Sequence, residues 1–255
     1  MAQDAGPTVP NYWDPKTVLD RPAQIPDKIQ FLASDDFPPF VFRDETGRLT
    51  GFNVDLARAI CLELGSSCSL RIKEFDVLTE ALEEGEGDAV IAGLTPTPEL
   101  QNKLRFTQDY LKLPARFIIR KDATFNETSL AGRVLSVEAG SRHEAFVRTF
   151  WPEATLITEP DVEKAREDVA QGRADAHFGD GLSLSFWLNS EAAKDCCAFA
   201  GGPWMEPGYF DHGLSVALRN DDVERSDAID YAIRMLAQKG TFRELYLRYF
   251  PLSFY

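Results

Sequence analysis

A chain of 255 residues exceeds the roughly 100 to 200 residues of one ordinary domain, so one large or two modest domains are expected, with two favoured. Its composition, 44% hydrophobic and 27% charged, belongs to a globular protein and excludes a disordered or fibrous chain. With 27 Lys and Arg against 41 Asp and Glu, the net charge is −14 and the pI near 4.7. A surface of that sign repels phosphate backbones and anionic lipid, so nucleic acid and membrane surfaces are poor partners.

No apolar run reaches the roughly 18 residues of a membrane span, and no signal peptide is present. Met1-Ala2-Gln3-Asp4-Ala5 reads as a methionine set on an already processed, exported chain. Pro7, Pro10, Pro15, Pro22 and Pro26, together with Tyr12 and Trp13, exclude a helix or interior strand and define an N-terminal arm over residues 1–28.

From Ile29 onward short strand and helix signals alternate, a βαβ grammar that implies largely parallel sheets covered by helices. A first strand is expected at 29–32. Asn53 is the expected N-cap of a helix over 54–64, whose apolar Ala57, Ile60, Cys61 and Leu64 recur at helical spacing before Gly65 stops it. Asp76 is expected to cap a helix over 77–84, residues 88–94 read as a buried strand, and Thr97-Pro98 starts a short helix. The grammar restarts with a strand at 133–137, helix 141–150, strand 155–157, helix 161–171 and strand 174–178. Strand-like segments at 115–120 and 213–219 flank this second unit. Helices at 222–238 and 241–249 close the chain and are expected to pack on the first unit. The acidic runs 80–88 and 161–168 read as solvated helix faces, since they lack the alternating oxygens and central glycine of a calcium loop.

In this order, Phe37-Pro38-Pro39-Phe40, the run Gly51-Phe52-Asn53-Val54-Asp55-Leu56-Ala57, the run from Gly87 to Thr95, Phe106-Thr107, Leu130-Ala131-Gly132, Ala139-Gly140-Ser141 and Gly172-Arg173-Ala174-Asp175-Ala176 resemble the periplasmic solute-binding proteins of polar amino-acid uptake, bacterial solute-binding family 3. The resemblance spans about 29–250. It implies a type II periplasmic-binding-protein-like α/β fold in which two α/β lobes are joined by two crossing segments. Lobe 1 is then 29–115 with 218–255 returning to it, and lobe 2 is 116–217. It also implies hinge closure on a small amine-bearing ligand in an interlobe cleft, delivery to the permease subunits of an ABC transporter, a periplasmic location, a monomer, and no cofactor, metal or catalytic residue.

Carried over position by position, the resemblance makes Phe37 and Phe52 the rings that sandwich the ligand side chain. Ala92, Gly93 and Thr95 meet its amine, Ser141 addresses its carboxylate from a helix start, and Asp180 binds the α-ammonium. The chain also departs from the family. Leu100 stands where an arginine usually grips the α-carboxylate, and Ser34 where an aspartate is usual, with Asp35 and Asp36 adjacent as substitutes. Arg142 is a candidate replacement cation and Arg105 a weaker one. The resemblance also implies a disulfide between Cys61, at the end of the first helix, and Cys68 on the strand that follows it. Cys196-Cys197 are open to a vicinal disulfide, two free thiols or a bond to a distant partner. His143, His177 and His212 lack metal-ligand spacing. The enzymatic alternative is a cyclohexadienyl-dehydratase-like chemistry that uses Glu138, Asp180, Glu206 and His177 as acid and base. A third alternative is a ligand-sensing module that presents itself to a membrane receptor.

Overall fold

The computed structural model describes residues 20–193, 195–250 and 253–255, and the expected N-terminal arm falls largely outside them. Two compact units emerge. One holds the described residues up to Lys112 and resumes at Gly213, and the other holds Leu113–His212 together with 253–255. The last three residues therefore lie with the second unit, not with the first as expected. We call them the outer and central units.

The sheet of the outer unit runs, in spatial order, Ser67–Ile72, Lys28–Ala33, Ala89–Val90, Ala217–Arg219 and Leu104–Phe106. Its first three strands are parallel, and Ala217–Arg219 is antiparallel to both of its neighbours. The central unit repeats the pattern with Thr155–Glu159, Val134–Glu138, Ala176–Asp180, Ala115–Arg120 and Cys197–Trp204. Again the first three are parallel and Ala115–Arg120 is antiparallel to both neighbours. In each unit the parallel strands direct three successive loops to one edge of the sheet.

Local chemistry explains most boundaries. The helix Arg142–Phe150 is capped by Ser141, whose Oγ accepts from Glu144 N, and the helix Val162–Ala170 by Asp161 accepting from Lys164 N. The helix Phe52–Leu64 begins one residue before the expected cap. Its first amides, from Phe52 and Asn53, donate to the carbonyls of Pro39 and Phe40 at 2.9 Å, so no side-chain cap is required. Gly51 allows this approach, because a Cβ there would come within 2.2 Å of the Phe40 carbonyl oxygen. Asn53 instead lies buried in the first turn and donates to Ile91 O at 3.3 Å.

Among the elements that escaped the sequence reading are Leu104–Phe106, Cys197–Trp204 and Gly181–Leu188. Ser67–Ile72, the strand expected at Cys68, is a largely exposed edge strand without a continuous apolar pattern. Cys197–Trp204 carries Gly201-Gly202-Pro203, which read as turn residues, and its pairing register slips between Ala200 and Trp204. The helix Gly181–Leu188 is apolar on all sides and shows no helical periodicity. Conversely, the expected strand over 88–94 shrinks to Ala89–Val90, because Gly93 turns the chain at φ 80°. The run 161–168 is not uniformly solvated, since Arg166 and Asp168 are buried.

Aromatic packing holds the outer unit together. Phe52 is 0% exposed, with ring neighbours Phe250 at 5.2 Å, Phe242 at 5.8 Å and Phe40 at 6.1 Å. The two C-terminal helices, Val223–Gln238 and Thr241–Tyr249, thereby cover the first helix of the same unit. Phe52→Ala is expected to cost about 3 to 5 kcal/mol in urea unfolding, a loss borne by the fold and not by ligand contact.

In the central unit, His177 is 1% exposed and its Nδ1 donates to Ser136 O at 2.9 Å. Burial, assisted by the nearby Arg166 charge, lowers its pKa to about 3. The unfolded chain then takes up the proton first as pH falls. Stability present above pH 6.5 should therefore drop by up to about 1.4 kcal/mol per pH unit as pH falls toward 3. Denaturant unfolding at stepped pH should show a slope that includes this contribution, and His177→Gln should lower that slope by up to about 1.4 kcal/mol per pH unit.

Candidate functional site

At the carboxyl ends of the three parallel strands of the outer unit, the following loops enclose a cavity of about 570 Å3 lined by Asp36, Phe37, Glu74, Phe75, Asp76, Ala92 and Gly93. Asp36 and Phe37 follow Lys28–Ala33, the triplet Glu74-Phe75-Asp76 follows Ser67–Ile72, and Ala92 and Gly93 follow Ala89–Val90. This is the edge at which open α/β sheets receive ligands.

Phe37 stacks on Phe40 at 4.7 Å with 14° between the ring planes, which supports one face of the ring. Its edge lies on Gly93, where a Cβ would come within 2.5 Å of Phe37 Cε1. Gly93 is thus required twice, by this contact and by its positive φ. Phe37 and Phe75 remain 37% and 44% exposed, an unusual state for two phenylalanines lining one concave surface. Three carboxylates surround them. Asp36 accepts a hydrogen bond from Ser34 Oγ, and among the described residues no Lys or Arg forms an ion pair with Asp36, Glu74 or Asp76.

Several expectations change at this point. Phe37, Ala92 and Gly93 line the cavity. Phe52 does not: it is enclosed within the core, and Phe75 is the second ring of the cavity. Thr95 lies two residues beyond the lining segment and is half-buried. Asp76, expected as a helix cap, belongs to the short 3-10 turn Phe75–Val77 and lines the cavity. Of the residues next to Ser34, Asp36 faces the cavity while Asp35 forms an ion pair with Arg43 at 2.6 Å. Arg105 donates to Asn220 O at 3.2 Å and does not line the cavity. The alternation of acid, ring and acid at Glu74-Phe75-Asp76 was the available signal for this missed lining. A strand is expected at Cys68, but nothing in the sequence marks where it ends, so the triplet lacked a position in the fold.

The corresponding edge of the central unit gathers Ser141, Arg142 and Asp180. Ser141 Oγ donates to Glu138 O at 2.7 Å and accepts from Glu144 N at 3.1 Å, so its hydroxyl is engaged in capping. Asp180 terminates Ala176–Asp180 and caps the helix Gly181–Leu188, with Oδ1 accepting from Ser183 N at 2.7 Å. Burial pushes its carboxyl above the usual carboxylate range, while the Ser183 amide and the charges of Arg142 and Arg166 act in the opposite direction. Arg142 is exposed, donates to Tyr209 O at 3.4 Å and stands 5.5 Å from the Phe210 ring. Its neighbour His143 stacks on Phe210 at 5.1 Å, and burial lowers its pKa to about 3.

Cys61 and Cys68 form a disulfide that ties the first helix to the edge strand, and Cys196 and Cys197 form a vicinal one. Among the described residues, no group of three or more His, Cys, Asp and Glu is placed to hold a metal ion. No helix among them is long and apolar enough to cross a membrane.

The profile of the family "Bacterial extracellular solute-binding proteins, family 3" matches residues 29–252. The putative ABC transporter arginine-binding protein 2 of Escherichia coli is 29% identical over 89% of this chain and 93% of its own. Among solved structures, an ancestral cationic amino acid solute-binding protein is 27% identical, with a TM-score of 0.64 over 88% of this chain and 96% of its own. The L-cystine solute receptor of Neisseria gonorrhoeae, solved in its unliganded open conformation, is 20% identical with a TM-score of 0.78. It covers 90% of this chain and 94% of its own, and shares the type II periplasmic binding fold.

Proposed function

The chain belongs to the bacterial extracellular solute-binding proteins, family 3, and we propose that it is the periplasmic ligand-binding component of an ABC importer for an amino acid or derivative with a cationic side chain. One observation carries this: the cavity of the outer unit combines two half-exposed phenylalanine rings with three carboxylates and no lining cation. A guanidinium or ammonium group is attracted both to ring faces and to carboxylates, and each ring contact contributes about 0.5 to 2 kcal/mol depending on desolvation. An anionic or purely apolar side chain gains nothing from Asp36, Glu74 and Asp76. The relatives named for arginine and for cationic amino acids support the same ligand class.

Asp180 supplies an acceptor for the ligand's ammonium, since Oδ1 is engaged by Ser183 N and, among the described residues, no donor occupies Oδ2. A ligand held by both units favours closure, because only the closed form satisfies both sets of contacts. Delivery to permease subunits as a monomer completes the assignment. Catalysis is not part of it. His177, the candidate base of a dehydratase chemistry, is buried, is held to Ser136 O, and stays neutral far below neutral pH.

Thermal shift and isothermal titration with L-arginine, L-lysine, L-ornithine and L-histidine provide the test. Binding should raise the melting temperature by mass action. Phe75→Ala is expected to weaken the best ligand about tenfold, and Asp36→Asn about 10- to 100-fold, with little change in the melting temperature of the free protein. Failure of every cationic amino acid to bind, or equal affinity for L-glutamate, refutes the assignment.

A further inference from the structure

The central unit buries an arginine that none of these contacts uses. Arg166 stands on the helix Val162–Ala170 and is only 7% exposed. Its Nη2 donates to Ser183 Oγ, while Nε is buried without a partner. Among the described residues it forms no ion pair, although Asp180, Glu163 and Glu138 lie near enough for their charges to act on it. Taking an ion out of water costs several kcal/mol unless it is paired and fully hydrogen-bonded. Among the other arginines of the central unit, Arg116 lies over the Phe199 ring at 4.6 Å and its Nε is likewise buried without a hydrogen-bond partner among the described residues. Arg133 pairs with Asp175 at 3.2 Å, Arg148 with Glu144 at 2.7 Å and Arg173 with Asp168 at 2.6 Å, away from this edge. Arg166 is distinguished by its hydrogen bond to Ser183, the residue that also holds Asp180.

Ser183 explains why Arg166 and Asp180 have not collapsed into an ion pair. Its backbone N–H donates to Asp180 Oδ1 and its Oγ accepts from Arg166 Nη2. One residue in the first turn of Gly181–Leu188 thus holds a carboxylate on one side and a guanidinium on the other. The N-terminal end of that helix adds a field that favours an anion.

We propose that Arg166 anchors the carboxylate of the ligand, with Ser183 positioning its guanidinium and Asp180 receiving the adjacent ammonium, so that one edge of the central unit binds both charges of an amino-acid head group. The planar guanidinium offers paired N–H donors that match a carboxylate, and the buried Nε is one of them. The absence of an arginine at Leu100 then does not exclude a carboxylate-bearing ligand, and Arg142 is not needed as its replacement. This inference rests on the amino-acid-binding assignment.

Titration of L-arginine against agmatine tests it, because agmatine keeps the guanidinium and amine but lacks the carboxylate. Arg166→Gln should weaken L-arginine about 100-fold while changing agmatine less than about threefold. Arg166→Lys, which retains the charge but not the fork, should fall between Arg166→Gln and the parent protein. If Arg166→Gln does not fold, as judged by circular dichroism, Arg166→Lys and Ser183→Ala carry the test, each expected to weaken L-arginine selectively by about three- to tenfold. Unchanged L-arginine affinity, or equal weakening of both compounds, overturns the role of Arg166. If Phe75→Ala and Asp36→Asn still weaken L-arginine in that case, the functional assignment stands without it. A parent protein that binds no cationic amino acid overturns both.

Discussion

Three parallel strands whose carboxyl ends meet at one edge impose the constraint on which the outer unit depends. Lys28–Ala33 lies between Ser67–Ile72 and Ala89–Val90 in parallel register, so the chain must leave all three strands on the same side. The loops that follow are therefore adjacent in space although they are about 16 to 57 residues apart in sequence, a consequence of crossover connections in parallel sheets. Asp36, Phe37, Glu74, Phe75, Asp76, Ala92 and Gly93 become neighbours for this reason. The central unit applies the same constraint with different residues, and there the edge carries helix N-termini capped by Ser141, Asp161 and Asp180.

The two edges differ in their chemistry. The outer edge keeps rings and carboxylates partly open to solvent, and its backbone is held by contacts behind the cavity: the Phe37–Phe40 stack, the carbonyls of Pro39 and Phe40 on the first helix, and Gly93 beneath Phe37. The central edge instead holds a buried carboxylate and a buried guanidinium apart through Ser183. Neither arrangement lowers the energy of the folded chain by itself. Unpaired carboxylates repel one another, and an uncompensated buried arginine is costly. Such features persist at sites where a ligand supplies the missing partner.

The repeated α/β grammar was legible in the sequence because caps and stops act locally. Gly65 ends the first helix at φ 76°, Thr97 caps Pro98–Gln101, and Asp222 caps Val223–Gln238. Elements whose identity depends on their neighbours were not legible. The edge strand Ser67–Ile72, legible only as a strand at Cys68, is polar and takes its extent from parallel pairing with Lys28–Ala33. The helix Gly181–Leu188 has no amphipathic stripe and is recognised only once Asp180 is seen to cap it.

The sequence alone determined the alternating strand and helix plan, the family resemblance and the residues Phe37, Ala92 and Gly93 of the cavity. These rest on short-range backbone chemistry and on motifs read in order. Tertiary structure decided which of two phenylalanines is structural and which lines the cavity: Phe52 sits at the start of a helix covered by the C-terminal helices, whereas Phe75 follows an edge strand and stays 44% exposed. It also decided that Arg166, within a run that read as a solvated helix face, is buried beside Ser183. Burial of a charged side chain depends on what the rest of the chain places over it, and no local pattern encodes that.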